Sequence, residues 1–185
     1  RELRAQGHDI IALSSGEPDF QTPGHVVEAA YRAMLDGQTK YTTMSGTADL
    51  KDAIAGKFSR ENGLDYGHDE ILVSTGAKQV IYNAIAAGVE KGDEVIVPAP
   101  FWISYEQMVQ MAGGTANTRW LMLNTPTNPR GAVYTADELA ELTDVLRQHE
   151  HVWVLTDDIY EHIVFDGRKA ATIAAVAPDL KERTL

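Results

Sequence analysis

The sequence contains no cysteine among its 185 residues. That absence excludes a disulfide framework, thiolate-ligated zinc, iron–sulfur centres and a cysteine nucleophile. Long hydrophobic runs are also missing, since no apolar stretch approaches the roughly 20 residues that a transmembrane helix requires. With neither cysteine nor a hydrophobic targeting segment, the sequence favours a cytoplasmic location.

Basic residues are scarce: 16 Lys and Arg stand against 27 Asp and Glu, which gives a formal net charge of −11. Such an excess of negative charge repels nucleic-acid backbones and anionic lipid. We therefore expect neither a nucleic-acid partner nor a membrane partner. The apolar fraction of 44% is typical of a globular protein that buries a core of its own.

Short apolar runs alternate with helical patterns from about residue 70 onward. The apolar runs, typical of strands covered on both faces, are at 70–74, 94–98, 119–124 and 152–156. The helical patterns between them are at 77–89, 103–112 and 136–149. This alternation predicts an α/β domain with a largely parallel sheet.

Capping signals predict where several helices begin. Thr135 and Glu138 form a capping box before the helix at 136–149. Nearer the start of the chain, an amphipathic pattern predicts a helix over 23–35, with Thr22 as its cap and Pro23 in its first turn. A second amphipathic pattern predicts a helix over 48–60.

Polar and aromatic residues of unusual types follow each predicted strand. The segments are Ser74–Gln79, Pro98–Trp102, Asn124–Gly131 and Asp157–Tyr160. Ligands of open α/β sheets bind beyond the carboxyl ends of the strands, near helix N-termini. The sequence therefore predicts a binding site at this edge of the sheet.

Each of these segments also has an ordinary structural explanation. Ser74–Lys78 fits a plain strand-to-helix turn as well as a phosphate site at the start of a helix. Trp102 beside two prolines fits core packing, and Asn128 between prolines fits a simple turn. Asp157 and Asp158 fit a metal or nucleotide site, or helix capping. For Asp157 the functional interpretation is favoured, because a carboxylate at a strand end points into the crevice.

Several common fingerprints are missing from the sequence. There is no G-x-x-x-x-G-K-[ST], no G-x-G-x-x-G and no G-x-S-x-G, so a P-loop, a dinucleotide site and a nucleophile elbow lack support. His149 and His151 flank a predicted helix end and are expected to be solvated. No arrangement of residues predicts a metal site.

Six segments, in one order over most of the chain, carry a family resemblance. They are LSSGEPDFQTP at 13–23, KYT at 40–42 with Gly46, STGAKQ at 74–79, GDEVIVPAPFWISY at 92–105, LMLNTPTNPRG at 121–131 and VLTDDIYEH at 154–162. Together they resemble the class I aminotransferases of the aspartate aminotransferase family, which are pyridoxal-phosphate (PLP) enzymes of fold type I. The resemblance implies a three-layer α/β/α large domain with a mainly parallel sheet. It also implies an N-terminal arm and small-domain elements over 1–46, and the N-terminal part of the PLP-binding domain over 47–185.

The resemblance assigns residues to the cofactor phosphate. The backbone N–H groups of Gly76 and Ala77, with Ser74 and Lys78 nearby, would hold the phosphate at a helix N-terminus. Tyr41 in such enzymes reaches the phosphate of the neighbouring subunit. That role implies a homodimer with shared active sites.

Other residues would surround the cofactor ring. Asp157 would pair with the protonated pyridine nitrogen, so that the ring accepts electrons from the substrate. Asn128 and Tyr160 would bind the phenolic oxygen, and Trp102 would stack on the ring face. The resemblance implies Asp157 and Tyr160 as catalytic residues, and Gly16, Trp102 and Asn128 as contacts to the substrate. The implied reaction moves an amino group from aspartate, glutamate or a related amino acid to a 2-oxo acid, with prephenate among the candidates.

The sequence departs from the family pattern in two ways. It reaches Leu185 without the Ser-Lys motif whose lysine forms a Schiff base with the cofactor. Relatives also have a further strand and helix where this chain has only Thr115–Thr118, so we predict a joint across a missing segment near 116–118. Because 1–7 is typical of a helix end and 183–185 of a strand start, we expect that the chain belongs to a longer protein.

Other functions remain open at this point. Lyases and synthases share the fold and the cofactor. An aminotransferase-like sensor domain of a transcription regulator would also bind PLP, and would carry a basic winged-helix segment upstream. A non-catalytic α/β module that binds another phosphate ligand is a third alternative.

Overall fold

The computed structural model describes residues 2–11, 16, 20–114 and 117–185, apart from the side chain of Asn117. The chain divides into two compact units, Arg1–Tyr41 and Thr42–Leu185. No helix among the described residues is long and apolar enough to cross a membrane. The predicted division into 1–46 and 47–185 stays a prediction.

The first unit contains two helices, α1 (Glu2–Ala5) and α2 (Gly24–Leu35). The prediction that Thr22 caps α2 was wrong, because Pro23 is the N-cap residue and no side chain caps the helix. Pro23 has a helical φ of −56° but an extended ψ of 140°. The helix therefore starts one residue later than predicted.

The second unit holds the rest of the regular structure. Its elements are α3 (Ala48–Lys57), a π-helix (Phe58–Asn62), a 3₁₀ helix (His68–Glu70), α4 (Ala77–Gly88), β1 (Asp93–Ile96), α5 (Ser104–Ala112), β2 (Asn117–Asn124), α6 (Ala136–Arg147), β3 (Trp153–Asp157), α7 (Ile173–Val176) and a 3₁₀ helix (Pro178–Arg183). The predicted capping box starts α6: the Glu138 N–H donates to Thr135 Oγ1 at 3.2 Å and the Thr135 N–H donates to Glu138 Oε2 at 2.8 Å.

The three strands form one parallel sheet in the order β1–β2–β3. The register of β2 and β3 pairs Trp120 with Trp153 and ends with Asn124 beside Asp157. On the other edge of β3, Leu185 donates its N–H to the carbonyl of Val154 at 2.9 Å. The predicted parallel sheet is confirmed for these strands.

Helices cover both faces of this sheet. Alternate residues of β2 point to opposite sides, as the two-residue period of a strand requires. Leu121 and Leu123 pack with Leu139 of α6 in one cluster. Trp120 and Met122 pack in a second cluster with residues of α4 and α5. This arrangement gives the predicted three layers.

The apolar run at 70–74 is not a strand, which contradicts the sequence prediction. Glu70 ends a 3₁₀ helix, and Val73 donates its N–H to the carbonyl of Ser45 at 3.0 Å. Leu72 is 57% exposed. A strand requires a neighbouring backbone as well as an apolar sequence, and the described part of the chain has no strand paired with this segment.

The helix predicted over 48–60 changes its winding near its end. Regular α3 ends at Lys57, and a π-helix continues over Phe58–Asn62, where Gly63 donates its N–H to the carbonyl of Phe58. The amphipathic pattern identified the helix but not the wider turn. A periodicity of 3.6 residues does not distinguish an α-helix from one inserted π turn.

The predicted joint near 116–118 falls partly outside the described residues. Thr115 and Ala116 are among the residues not described, whereas Asn117 and Thr118 begin β2. The joint therefore stays a prediction.

The packing of α4 on β2 generates a test of the fold. A Cβ at Gly88 would lie 2.6 Å from Cζ2 of the buried Trp120 ring. We expect Gly88→Ala to lower the free energy of unfolding by about 1–3 kcal/mol, because overpacking outweighs the better helix propensity of alanine. Urea unfolding followed by circular dichroism measures the change.

Gly56→Ala in α3 is the matched control. Apart from its chain neighbours and the backbone of α3 itself, no atom of the described residues lies within 4 Å of the Cβ that this change would add. The control should raise the free energy of unfolding by up to about 1 kcal/mol. Equal effects of the two substitutions would contradict the close contact between Gly88 and Trp120.

Candidate active site

Asn124, at the carboxyl end of β2, joins the loops that carry the predicted site residues. Its Nδ2 donates to the carbonyl of Asp157 at 2.7 Å, and its Oδ1 accepts from the N–H of Asn128 at 2.7 Å. The side chain is buried, so both hydrogen bonds are shielded from water. One amide therefore fixes the start of each loop relative to the other.

The carboxylate of Asp157 accepts a hydrogen bond from a buried tyrosine. Tyr105, which is 2% exposed, donates its hydroxyl proton to Asp157 Oδ2 at 2.6 Å. Burial, together with this hydrogen bond and the negative charge of Asp157, raises the pKa of Tyr105 above its ordinary value. Tyr105 therefore stays protonated and acts as a donor.

Sequence reasoning missed both Tyr105 and Asn124 as site residues. Each lies inside a segment of the family resemblance, but Tyr105 sits on the buried face of α5 among core side chains. The available signal was that Tyr105 ends the resembling segment at 92–105, three residues after Trp102. That signal does not separate a core tyrosine from one bound to a carboxylate.

The structure brings Asn128 and Tyr160 together. Asn128 Nδ2 donates to the Tyr160 hydroxyl oxygen at 3.2 Å. Both residues are half-buried. Because the hydroxyl oxygen accepts this bond, the tyrosine proton is available for another acceptor.

The start of α4 offers donors for an anion. Gly76 precedes the helix with φ of 85°, a conformation that favours glycine. Its own N–H donates to the carbonyl of Ser74 at 2.9 Å. In this conformation the remaining predicted donors are the N–H of Ala77, the Ser74 hydroxyl and Lys78, at the helix end where the dipole favours negative charge.

A chain of contacts links α4 to Asp157. The Lys78 ammonium lies 4.8 Å from the centroid of the Trp102 ring. The Trp102 and Tyr105 rings meet edge to face with centroids 5.4 Å apart. Ala77 and Asp157 line the same cavity of about 400 Å³. Contacts between neighbouring side chains therefore connect Lys78, through the Trp102 and Tyr105 rings, with the Asp157 carboxylate.

Asp158 faces a different environment from Asp157. Its Oδ1 accepts from the Thr156 hydroxyl at 2.7 Å. Burial raises the pKa of the Asp158 carboxyl, although hydrogen bonds from Thr156 and Thr172 oppose this shift. The two neighbouring aspartates thus have separate partners, and the contacts with Tyr105 belong to Asp157.

Two predicted site residues lie in the first unit. Tyr41 is fully exposed there. Gly16 is exposed and lies between residues that the structure does not describe. Their roles toward the cofactor and the substrate stay predictions.

The donor set fits a phosphorylated aromatic ring that carries a basic nitrogen. Ala77 and Lys78 suit the phosphate, and Trp102 offers an aromatic surface to the ring. The Asp157 carboxylate suits a protonated ring nitrogen. Asn128 and Tyr160 suit an oxygen on the ring.

Comparison with known proteins shows similarity along nearly the whole chain. The family model for aminotransferase class I and II matches residues 8–118 and 113–184. A probable aspartate/prephenate aminotransferase of Rickettsia bellii is 52% identical over an alignment of 206 positions, which covers 98% of this chain and 52% of that protein.

Solved structures agree with the sequence match. The crystal structure of an aspartate aminotransferase from Rhizobium meliloti is 46% identical with a TM-score of 0.94, over 99% of this chain and 52% of that one. An aspartate aminotransferase from Thermus thermophilus with maleate is 40% identical with a TM-score of 0.92, over 99% and 53%. The chain spans about half the length of the relatives it matches.

The hydrogen bond between Tyr105 and Asp157 generates a prediction for Tyr105→Phe. We expect a loss of about 1.5–3 kcal/mol in the free energy of unfolding, the usual range for a hydrogen bond to a charged group. Because the pKa of Tyr105 is raised in the folded protein, its contribution is present below pH about 10 and is lost at higher pH. Urea unfolding at pH 7 measures the change.

Tyr82→Phe serves as the control. The Tyr82 side chain is half-buried on α4, and its hydroxyl has no hydrogen bond to the described residues. A change below about 0.5 kcal/mol is expected for this variant. If Tyr105→Phe is no more destabilising than the control, the hydrogen bond to Asp157 contributes nothing to stability.

Proposed function

Because the chain belongs to the class I and II aminotransferase family, we propose that it holds the cofactor of a PLP-dependent aminotransferase. Enzymes of this family use pyridoxal phosphate. The proposed reaction transfers an amino group from aspartate, glutamate or a related amino acid to a 2-oxo acid. The observation that carries the proposal is the Asp157 carboxylate, held by the buried Tyr105 beside the Trp102 ring.

Asp157 has the central role in the proposed mechanism. When bound, PLP withdraws electrons from the substrate α-carbon through its protonated ring nitrogen. Tyr105 donates to Oδ2 of Asp157, and the Ile159 N–H donates to Oδ1 at 3.3 Å. The carboxylate held in this way would pair with the ring nitrogen and keep its proton in place. A protonated Tyr105 holds the carboxylate in this orientation without supplying a competing negative charge.

Asn128 and Tyr160 would hold the phenolic oxygen of the ring. Asn128 donates to the Tyr160 oxygen, so the Tyr160 proton points away from Asn128 and can be donated to the cofactor. A hydrogen bond donated to the phenolic oxygen would favour the ionised form of that oxygen. It would also lower the pKa of the nitrogen attached to the neighbouring carbon substituent of the ring. Trp102 would cover one ring face and exclude water from it.

The start of α4 would bind the phosphate. The N–H groups of Ala77 and Lys78 and the Ser74 hydroxyl are hydrogen-bond donors, and the Lys78 ammonium supplies positive charge. Asn83 Nδ2 approaches Ser74 Oγ at 3.4 Å, which leaves the serine proton free for an anion.

The relatives narrow the substrate class. They are named for aspartate and prephenate, and the Thermus thermophilus structure holds maleate, a dicarboxylate. These names support an acidic amino acid as the amino donor and prephenate as a candidate acceptor. Gly16, Trp102 and Asn128 are the proposed substrate contacts. The lysine that reacts with the cofactor is not assigned among these 185 residues.

The other functions considered from the sequence differ in their support. Family membership favours a PLP enzyme over a non-catalytic module that binds another phosphate ligand. Lyases and PLP-binding sensor domains share the fold, but the relatives bear aminotransferase names. These names favour transamination.

The predicted joint near 116–118 is also part of the proposal. The two segments matched by the family model overlap at 113–118. In the Rickettsia bellii alignment, 206 aligned positions meet about 181 residues of this chain (98% of 185), so roughly 25 positions of the relative have no counterpart. Both findings support a segment in the relatives that this chain lacks.

The homodimer with shared active sites rests on the family resemblance of the segment around Tyr41. Light scattering coupled to size-exclusion chromatography of the intact protein measures it. The cytoplasmic location rests on the composition of the sequence.

Asp157→Asn tests the proposed function in the intact protein with added PLP. We expect transamination of aspartate with 2-oxoglutarate to fall by about 100-fold or more, because the amide no longer keeps the ring nitrogen protonated. Coupled assay of oxaloacetate formation measures the rate. Far-ultraviolet circular dichroism checks that the variant folds.

Asp158→Asn makes the same chemical change one residue further along. Its carboxylate bonds to Thr156 rather than Tyr105, and an amide can also accept from a hydroxyl. The activity of this control should stay within about tenfold of the unchanged protein. Activity that survives Asp157→Asn to the same extent would contradict the role assigned to Asp157.

A further inference from the structure

The π-helix at the end of α3 brings two polar side chains onto one carboxylate. In a regular α-helix, residues five apart point about 140° away from each other. The wider π turn places them closer, and Lys57 Nζ donates to Asn62 Oδ1 at 2.9 Å. Both side chains also bind Glu161, which lies about a hundred residues later in the sequence.

The two oxygens of Glu161 have separate donors. Lys57 Nζ donates to Oε1 in a short ion pair, and Asn62 Nδ2 donates to Oε2 at 3.1 Å. Burial alone would raise the pKa of Glu161, but these donors together lower it below the ordinary value. The carboxylate is therefore ionised at neutral pH and engaged on both oxygens.

Other charged groups near Glu161 make weaker contacts. Glu61 Oε2 lies 3.9 Å from Lys57 Nζ, and His162 Nε2 lies 3.6 Å from Glu161 Oε1. Glu61, Glu161 and His162 offer ligand atoms within 4.8 Å of one another. The Lys57 ammonium already binds the carboxylate of Glu161. A lysine side chain therefore supplies the positive charge in this cluster.

Glu161 follows Tyr160 in a tightly turned loop. The Glu161 N–H donates to the carbonyl of Asp158 at 2.9 Å, and the Ile163 N–H donates to the carbonyl of Tyr160 at 2.7 Å. The loop is held at its start by Asn124 and Asp157. The contacts of Glu161 with Lys57 and Asn62 hold the loop a second time, after Tyr160 in the sequence.

We propose that Glu161 is a positioning residue, whose contacts with Lys57 and Asn62 hold the Tyr160 hydroxyl where Asn128 reaches it. The carboxylate itself touches neither Tyr160 nor Asn128. It acts by fixing the backbone of the loop against the π-helix. This inference rests on the proposed function, because the position of Tyr160 matters through its bond to the phenolic oxygen.

Glu161→Gln tests the inference, since it keeps the size of the side chain and removes the charge. In the intact protein with PLP, pH titration of the visible absorbance reports the ionisation that Tyr160 influences. We expect the apparent pKa to rise by at least about half a unit in the variant. In the cofactor-free protein, the Glu161 and Ile163 amides should exchange hydrogen faster, because the loop loses an anchor.

Lys57→Met removes the same ion pair with Glu161, by replacing the donor instead of the carboxylate. It should give the same two effects, and the double variant Lys57→Met with Glu161→Gln should change the pKa no more than either single change. Glu28→Gln is the matched control, because Glu28 forms its ion pair with Arg32 inside α2. The control should titrate like the unchanged protein.

The outcomes separate the inference from the proposed function. Unchanged protein that shows no pH-dependent visible band with PLP would overturn the proposed function, and this inference with it. A titrating unchanged protein, with Glu161→Gln and Lys57→Met at the same pKa as the control, would overturn the inference alone. A lower melting temperature without a pKa shift would likewise assign Glu161 a structural role only.

Discussion

The hydrogen bonds of Asn124 are the interaction on which the site depends. Parallel strands end at the same edge of a sheet, but the register decides which residues meet there. Pairing of Asn124 with Asp157 puts one buried amide between two loops, and both of its polar atoms are engaged. A slip of one residue would turn these side chains to the opposite face. The register between β2 and β3 therefore also determines where Asp157 and Asn128 lie.

Local patterns predicted the elements of this core well, although β1 is only partly buried and Ile96 is 48% exposed. The strands β1, β2 and β3 follow from continuous apolar runs, and α6 follows from its capping box. The segment 70–74 has the same apolar signal without being a strand. Leu72 in this segment is 57% exposed, and no strand among the described residues pairs with the segment. An apolar run forms a strand only where a second backbone lies beside it. A five-residue window of sequence does not indicate whether a second backbone lies beside it.

The site shows the same limit at the level of single side chains. Asp157, Asn128 and Tyr160 were predicted because they follow predicted strands and lie in segments of the family resemblance. Tyr105 was missed because it looks like a core residue, and Asn124 was missed because the family resemblance gave it no role of its own. Their importance lies in what they contact, and the contacts connect residues 52 and 33 positions apart. A residue that positions another one carries no composition signal of its own.

Hydrogen bonds hold the loop after β3 both before and after Tyr160. At its start, Tyr105 and Asn124 bind Asp157 from α5 and β2. Beyond Tyr160, the π-helix binds Glu161 through two side chains whose spacing suits the wider turn. Each anchor comes from a different element, so no single helix or strand determines where Tyr160 lies. The π turn, which the amphipathic pattern did not predict, is thus the local irregularity that lets α3 reach this loop with two donors at once.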